Sequence, residues 1–302
     1  MDADLEGLPR EKPRRIFYAG MGGSALPADL VNDYLGTHPL LLVRDYQLPK
    51  DAGKKDWVIA ASFSGNTEET IAVVHDAEQR GCPTIILANG GHLKKIAKAK
   101  KNPFIPIPDC IQPRCATGYF FATILGLLHR SGRLPDQRKI LEGLEDFLLQ
   151  RQGIHEKQGE KIAEALEGRV PIIYGPSELY GACRIWKIKL NENCKIQSFF
   201  NVFPELNHNE MVGFSQMIME PTLVYLISQF MDRRIKKRMA VMKEILGGKV
   251  PILEISLAGA DRLQETFDAL ALADYATYSL AMRIGVDPTP VEMVEDFKKL
   301  LA

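Results

Sequence analysis

Short, continuously apolar runs alternate with helical patterns along most of this chain, and that alternation restricts the fold more than any other feature. Arg15 to Ala19, Leu40 to Val43, Trp57 to Ala61, Thr84 to Leu87 and Phe104 to Ile107 read as strands. Helical stretches run from Ala25 to Leu35, Thr67 to Arg80 and His92 to Lys98, and Pro113 opens a longer one through His129. Strands apolar on both faces and separated by helices predict a parallel sheet covered on both sides. Gly132 to Pro135 interrupts the pattern, and two polar helices, around Lys139 to Gln150 and His155 to Leu166, read as a link. The alternation then restarts, with strands at Val170 to Tyr174, Ile196 to Phe200, Leu223 to Ile227 and Val250 to Ile255. The matching helices are Ser177 to Glu192, Met231 to Leu246, Ala260 to Gly285 and Pro290 to Leu301.

The expected architecture is two α/β domains, each three layers (α/β/α) around a parallel sheet, which suits 302 residues. The first spans 1–134; the second, 135–302, includes the linker helices. Tyr18-Ala19-Gly20 followed by Ser24 is echoed by Tyr174-Gly175-Pro176 followed by Ser177, which reads as a degenerate duplication. Ligands are expected at the carboxyl ends of the strands, where such sheets bind small molecules.

Composition removes several classes of function. The 38 basic and 38 acidic residues balance, so no global positive field gathers nucleic acid. Met1 to Glu6 lacks the basic and apolar segments of a signal peptide. The longest apolar candidate, Tyr119 to Leu128, has about half the ~20 residues that a membrane span needs. Cys82, Cys110, Cys115, Cys183 and Cys194 include no Cys-x-x-Cys pair, so neither a zinc site nor a disulfide framework is indicated, and a cytoplasmic protein is expected.

Two turns carry the binding chemistry. Gly20-Met21-Gly22-Gly23-Ser24 leaves a strand and opens a helix. Its glycines let the backbone approach an anion, and the helix start offers N–H groups and partial positive charge. It is not a Walker loop, because no Gly-Lys-Ser/Thr follows, and its glycine spacing is wrong for a dinucleotide fingerprint. Ser62-Phe63-Ser64-Gly65-Asn66-Thr67 also joins a strand to a helix and places the hydroxyls of Ser62, Ser64 and Thr67 on one turn. A helix cap accounts for one hydroxyl. Three, beside a matching Gly-rich turn, suit a phosphomonoester that must leave after each turnover. Gly22, Gly23, Ser24, Ser62, Ser64 and Thr67 are the candidate phosphate ligands.

These turns resemble those of the SIS (sugar isomerase) domain, a flavodoxin-like fold that binds phosphosugars. The resemblance spans nearly the whole chain and is best matched by the bifunctional phosphoglucose/phosphomannose isomerase family, with two such domains per subunit. It implies a hexose 6-phosphate substrate, an aldose–ketose isomerisation needing no metal or redox cofactor, and a homodimer whose subunits share active sites.

The resemblance also implies site residues. Glu192, in Leu190-Asn191-Glu192-Asn193-Cys194-Lys195, matches the family's catalytic glutamate. Within this run it is the carboxylate that can serve as a base. His208, in Phe203-Pro204-Glu205-Leu206-Asn207-His208-Asn209-Glu210, matches the ring-opening histidine, which titrates near neutrality. Arg114, after Pro113, matches the arginine that stabilises the intermediate, and stays charged at any working pH. Lys298 matches a lysine of the final helix. The family's threonine linked to the mannose epimer falls on Val291 without gaps, and on Thr289 with a small shift. Glu205, His208 and Glu210 have spacing too loose for a good metal set. The competing readings are another SIS enzyme acting on an aminosugar phosphate, and a non-catalytic sugar-phosphate sensor. The chain has no basic helix-turn-helix region of the kind such a sensor carries.

Overall fold

The computed structural model describes residues 7–9 and 11–301; Met1 to Glu6 lies outside the described residues. The chain divides into two compact units between Gly143 and Leu144.

In the first unit, β1 (Ile16–Ala19), β2 (Leu40–Val43), β3 (Trp57–Ala61), β4 (Thr84–Ala88) and β5 (Phe104–Pro106) form a sheet of order β2-β1-β3-β4-β5. Every pairing is parallel. All residues of β1, β3 and β4 are buried, as their unbroken apolar sequences require when helices cover both faces. The helices are α1 (Leu26–Leu35), α2 (Glu68–Gln79), α3 (Gly91–Lys100) and α4 (Thr117–Arg130). Helices α1 and α4 pack together, while Val73 and Ala77 of α2 and Leu93 and Ile96 of α3 close two further clusters on the strands.

One helix, α5 (Arg138–Leu166), replaces the two linker helices expected from sequence. Gly153 lies between the two expected helices, but a helix-interior glycine costs only about 1 kcal/mol, and no proline accompanies it. The later part of α5 contributes Ile162, Ala163 and Leu166 to the core of the second unit.

That unit contains β6 (Val170–Pro176), α6 (Tyr180–Cys194), β7 (Phe199–Phe203), β8 (Pro221–Ile227), α7 (Arg233–Leu246), β9 (Ile252–Ser256), α8 (Arg262–Arg283) and α9 (Glu292–Leu301). Its sheet is again parallel, in the order β7-β6-β8-β9. This repeats the first four positions of the other sheet, and α6 packs on α8 as α1 packs on α4. Trp186 is fully buried between these helices, with its indole N–H donating to the Ala269 carbonyl at 2.9 Å.

Strand β7 starts three residues later than the Ile196 expected from sequence. The local reason is the helix end before it. Lys195 adopts a left-handed conformation at the end of α6, and the Asn191 amide donates to the Ile196 carbonyl at 2.8 Å. Those atoms are committed to the turn, so pairing with β6 begins at Ile172 and Phe199. Two 3-10 segments, Glu205–His208 and Glu210–Ser215, occupy the connection to β8 and carried no periodic pattern to announce them.

Candidate active site

The first unit brings the Gly-rich turn, the hydroxyl-lined turn and the Arg114 turn together. Gly22–Ser24 forms a 3-10 turn directly after β1, and Gly22 has φ of 47°. A Cβ on Gly23 would lie 2.9 Å from the Arg114 amide nitrogen and 3.0 Å from the Pro113 carbonyl carbon, so only glycine permits this approach. Arg114 is 6% exposed, in the 3-10 turn Pro113–Cys115 that leads into α4. The Thr117 hydroxyl donates to the Arg114 carbonyl at 3.0 Å.

The hydroxyls stitch the turns into one surface. Ser24 Oγ accepts the Phe63 amide at 2.9 Å, tying the first turn to the second. Ser62 Oγ lies 2.7 Å from Thr67 Oγ1 and accepts the Gly65 amide at 3.1 Å. Ser64 Oγ accepts the Asn66 amide at 3.2 Å. Ser24 and Ser62 are buried, Thr67 is half-buried and Ser64 is exposed. Gly22, Gly23, Ser24, Ser62, Ser64, Thr67 and Arg114 thus surround the carboxyl ends of β1 and β3, above the start of α2.

A third turn, Asn89-Gly90-Gly91, supports this cradle. The Gly65 carbonyl accepts the Leu93 amide at 2.9 Å, and the Asn66 side chain accepts the His92 amide at 2.9 Å. Gly65 has φ of 69°, and a Cβ there would fall 1.9 Å from the Gly90 carbonyl oxygen. Gly65→Ala should therefore destabilise the protein by more than about 1 kcal/mol, because it adds backbone strain to a steric overlap. Urea unfolding would measure this, and weakened phosphosugar binding should accompany it.

The second unit lacks such a cradle at the matching place. Tyr18 pairs with Ile59 and Tyr174 with Tyr225, so Ser228 occupies the position of Ser62. Ser228 Oγ donates to the buried Glu265 carboxylate at 2.5 Å, and the Gln229 amide donates to the same group at 2.9 Å. Burial pushes the Glu265 carboxyl up. A carboxyl group belonging to the chain takes these donors.

Glu192 and His208 lie at opposite ends of the second sheet. Helix α6 runs back from the carboxyl end of β6, so Glu192, half-buried in its last turn, lies at the amino end of β7. His208 is exposed in the 3-10 segment beyond the carboxyl end of β7. The five residues of β7 alone separate them by roughly 17 Å at ~3.3 Å per residue. The two serine-bearing turns and His208 thus lie at carboxyl strand ends, and Glu192 at an amino end.

Sequence reasoning overlooked what anchors the His208 segment. Glu210 accepts the Tyr174 hydroxyl at 2.5 Å and the Asn201 amide at 2.6 Å. Burial, then the bond to Glu210, pushes the Tyr174 phenol far up. Glu205 accepts the Asn209 amide at 2.9 Å, so both glutamates near His208 are engaged by hydrogen-bond donors. Among the described residues, no group of three His, Cys, Asp or Glu side chains is placed to hold a metal ion. No helix among them is long and apolar enough to cross a membrane.

Glu192 also lines an open cleft of about 640 Å³ with Asn191, Lys195, Pro290 and Val291. Neither Thr289 nor Lys298 lines it. Thr289 is exposed, and its amide donates to Asp287 Oδ1 at 2.8 Å. Lys298 is exposed on α9, all of whose residues are exposed.

Parallel sheets in two units, with Gly-rich and hydroxyl-lined turns above the first, define a sugar-isomerase-domain protein. Residues 155–301 match the family described as the bacterial phospho-glucose isomerase C-terminal SIS domain. The bifunctional phosphoglucose/phosphomannose isomerase of Caldicellulosiruptor bescii is 33% identical over 306 residues, covering 95% of this chain and 89% of that protein. The D-glucosamine-6-phosphate 4-epimerase of Sulfolobus acidocaldarius is 33% identical over a shorter 217 residues, 71% of this chain and 69% of that protein. The tagatose-6-phosphate ketose/aldose isomerase of Escherichia coli has the same fold, with a TM-score of 0.69 at 17% identity, over 93% of this chain and 85% of that one. The chain belongs to the bifunctional phosphoglucose/phosphomannose isomerase family.

Proposed function

We propose that this protein interconverts glucose 6-phosphate, and mannose 6-phosphate, with fructose 6-phosphate through a cis-enediolate. The observation that carries this reading is the packing of Gly23 on the Arg114 backbone, which joins an uncharged phosphate cradle to a permanent cation. The amides of Gly22 and Gly23 and the hydroxyls of Ser24, Ser62, Ser64 and Thr67 hold the phosphate. Donors without formal charge bind it without preventing product release. His208, with Lys298, opens the sugar ring. Glu192 takes the proton from C2 and returns it to C1, while the C2 hydroxyl proton moves to the C1 oxygen. Arg114 stabilises the negative oxygens without competing for the proton. Thr289 accommodates the mannose epimer.

We further propose a homodimer in which His208 serves the neighbouring subunit's site. The separation of Glu192 from His208 across β7 supports this, because one small substrate cannot reach both within a single second unit.

Proton NMR of fructose 6-phosphate incubated with the protein tests the function. Glucose and mannose 6-phosphates should appear, whereas unchanged substrate would identify a sensor. The Sulfolobus relative favours a second reading, C4 epimerisation of an aminosugar phosphate. New signals from glucosamine 6-phosphate, with fructose 6-phosphate unchanged, would select it.

The cradle makes its own prediction. Ser62→Ala and Thr67→Ala each remove half of a hydroxyl pair, and each should weaken phosphosugar binding by about 0.5–3 kcal/mol. Calorimetric titration with fructose 6-phosphate measures the change. Unaltered affinity in both variants would place the phosphate elsewhere.

A further inference from the structure

The residues around Glu192 include a lysine whose position is unusual for its type. Lys195 ends α6 with φ of 57°, a left-handed conformation more often taken by glycine. That backbone turns its side chain back over the helix end. Its Nζ donates to the Glu192 carbonyl at 2.8 Å and to the Asp287 carbonyl at 2.7 Å, and lies 3.5 Å from the Asn193 carbonyl. The first and third are last-turn carbonyls of α6, which have no partner within the helix and carry its negative dipole end. The second lies 92 residues further along the chain, in the segment between α8 and α9.

The same segment is fastened locally. Asp287 Oδ1 accepts the Thr289 amide at 2.8 Å. This bond, then the Thr289 hydroxyl, holds the Asp287 carboxyl below the usual range, with Lys195 adding to the effect. Pro290 and Val291, which follow at once, line the same cleft as Glu192. One ammonium group therefore joins the main chain of Glu192 to the Asp287 segment that lines the same cleft.

We propose that Lys195 is a positioning residue for the isomerisation: by bridging the Glu192 and Asp287 carbonyls, it fixes the carboxylate of Glu192 relative to Asp287, Pro290 and Val291 of the same cleft. The proposal rests on the reading of Glu192 as the base. A displacement of about 1 Å in a reacting group can cost on the order of 100-fold in rate, so a tether of this kind acts on kcat. It does not act on phosphate binding, because the cradle is built from turns of the first unit.

The test compares Lys195→Met, which keeps the aliphatic stem, with Lys195→Arg, which keeps a cation long enough to reach both carbonyls. Two measurements are made on the full-length protein: steady-state kinetics with fructose 6-phosphate, and amide hydrogen exchange without substrate. In Lys195→Met, kcat should fall roughly 10- to 100-fold with KM nearly unchanged, and exchange should rise in the 286–290 segment. Lys195→Arg should recover most of both. Parent-like exchange at 286–290 in Lys195→Met would overturn the bridge. Faster exchange with parent-like kcat would overturn its positioning role, and an arginine variant no better than methionine would overturn the part played by the cation. If the parent protein itself left fructose 6-phosphate unchanged, the function reading would fall, and with it the catalytic half of the proposal, while exchange would still decide the bridge.

Discussion

Glu192→Gln is expected to lower kcat for fructose 6-phosphate isomerisation by about 10²–10⁴-fold, the usual contribution of a positioned general base. Glutamine preserves size and hydrogen bonding but cannot carry a proton between C2 and C1. The half-buried side chain in the last turn of α6 has no role in the hydrophobic core, so folding should survive the change. Substrate affinity should survive as well, since the proposed phosphate donors belong to the turns after β1 and β3. The measurement that isolates the step is exchange of the C2 proton with solvent deuterium, which should collapse along with turnover. Binding of 5-phosphoarabinonate, an enediolate mimic, should persist, because Arg114 and the cradle are untouched. C2 exchange at close to the parent rate would remove Glu192 from the mechanism and make Glu205 the next carboxylate to examine.

The second large effect concerns complementation. Glu192→Ala and His208→Ala should each be almost inactive as pure proteins. Mixed under conditions that allow subunit exchange, they should regain about a quarter of the parent activity. The arithmetic follows from twofold symmetry. Random reassociation makes about half of the dimers mixed, and each mixed dimer holds one site with both residues intact and one with neither. The structural reason is the placement of Glu192 before β7 and His208 after it. Their separation is set by a strand whose length does not change. Absence of recovery, with exchange verified by mass-tagged subunits, would mean that each site draws both groups from one chain.

The fold was largely legible because its signals are local. The apolar runs Ile16–Ala19, Trp57–Ala61 and residues 85–88 became buried central strands, since a strand covered on both faces has little place for an unpaired polar group. The Gly-rich and hydroxyl-rich turns were visible for the same reason: each lies within a few residues of a strand end. The errors came where tertiary contacts override local pattern. The two expected linker helices are one continuous α5, and the start of β7 was displaced by the Asn191 and Lys195 turn. The 3-10 segments of 205–215 have no period to detect, and their anchor, Glu210, is recognised only from Tyr174 and Asn201 above it.

What the sequence determined by itself was therefore the layering, the parallel direction of the strands and the position of the Gly-rich and hydroxyl-rich turns at strand ends, all consequences of chemistry within one or two elements. Only the tertiary structure decided which distant atoms meet. It set Gly23 against the Arg114 backbone, gave the Ser228 donors to Glu265 and carried Lys195 to the Asp287 carbonyl. Each of these contacts joins residues far apart in the chain. The energy of such a contact depends on burial and on distances of about 3 Å, quantities that residue order does not encode one segment at a time.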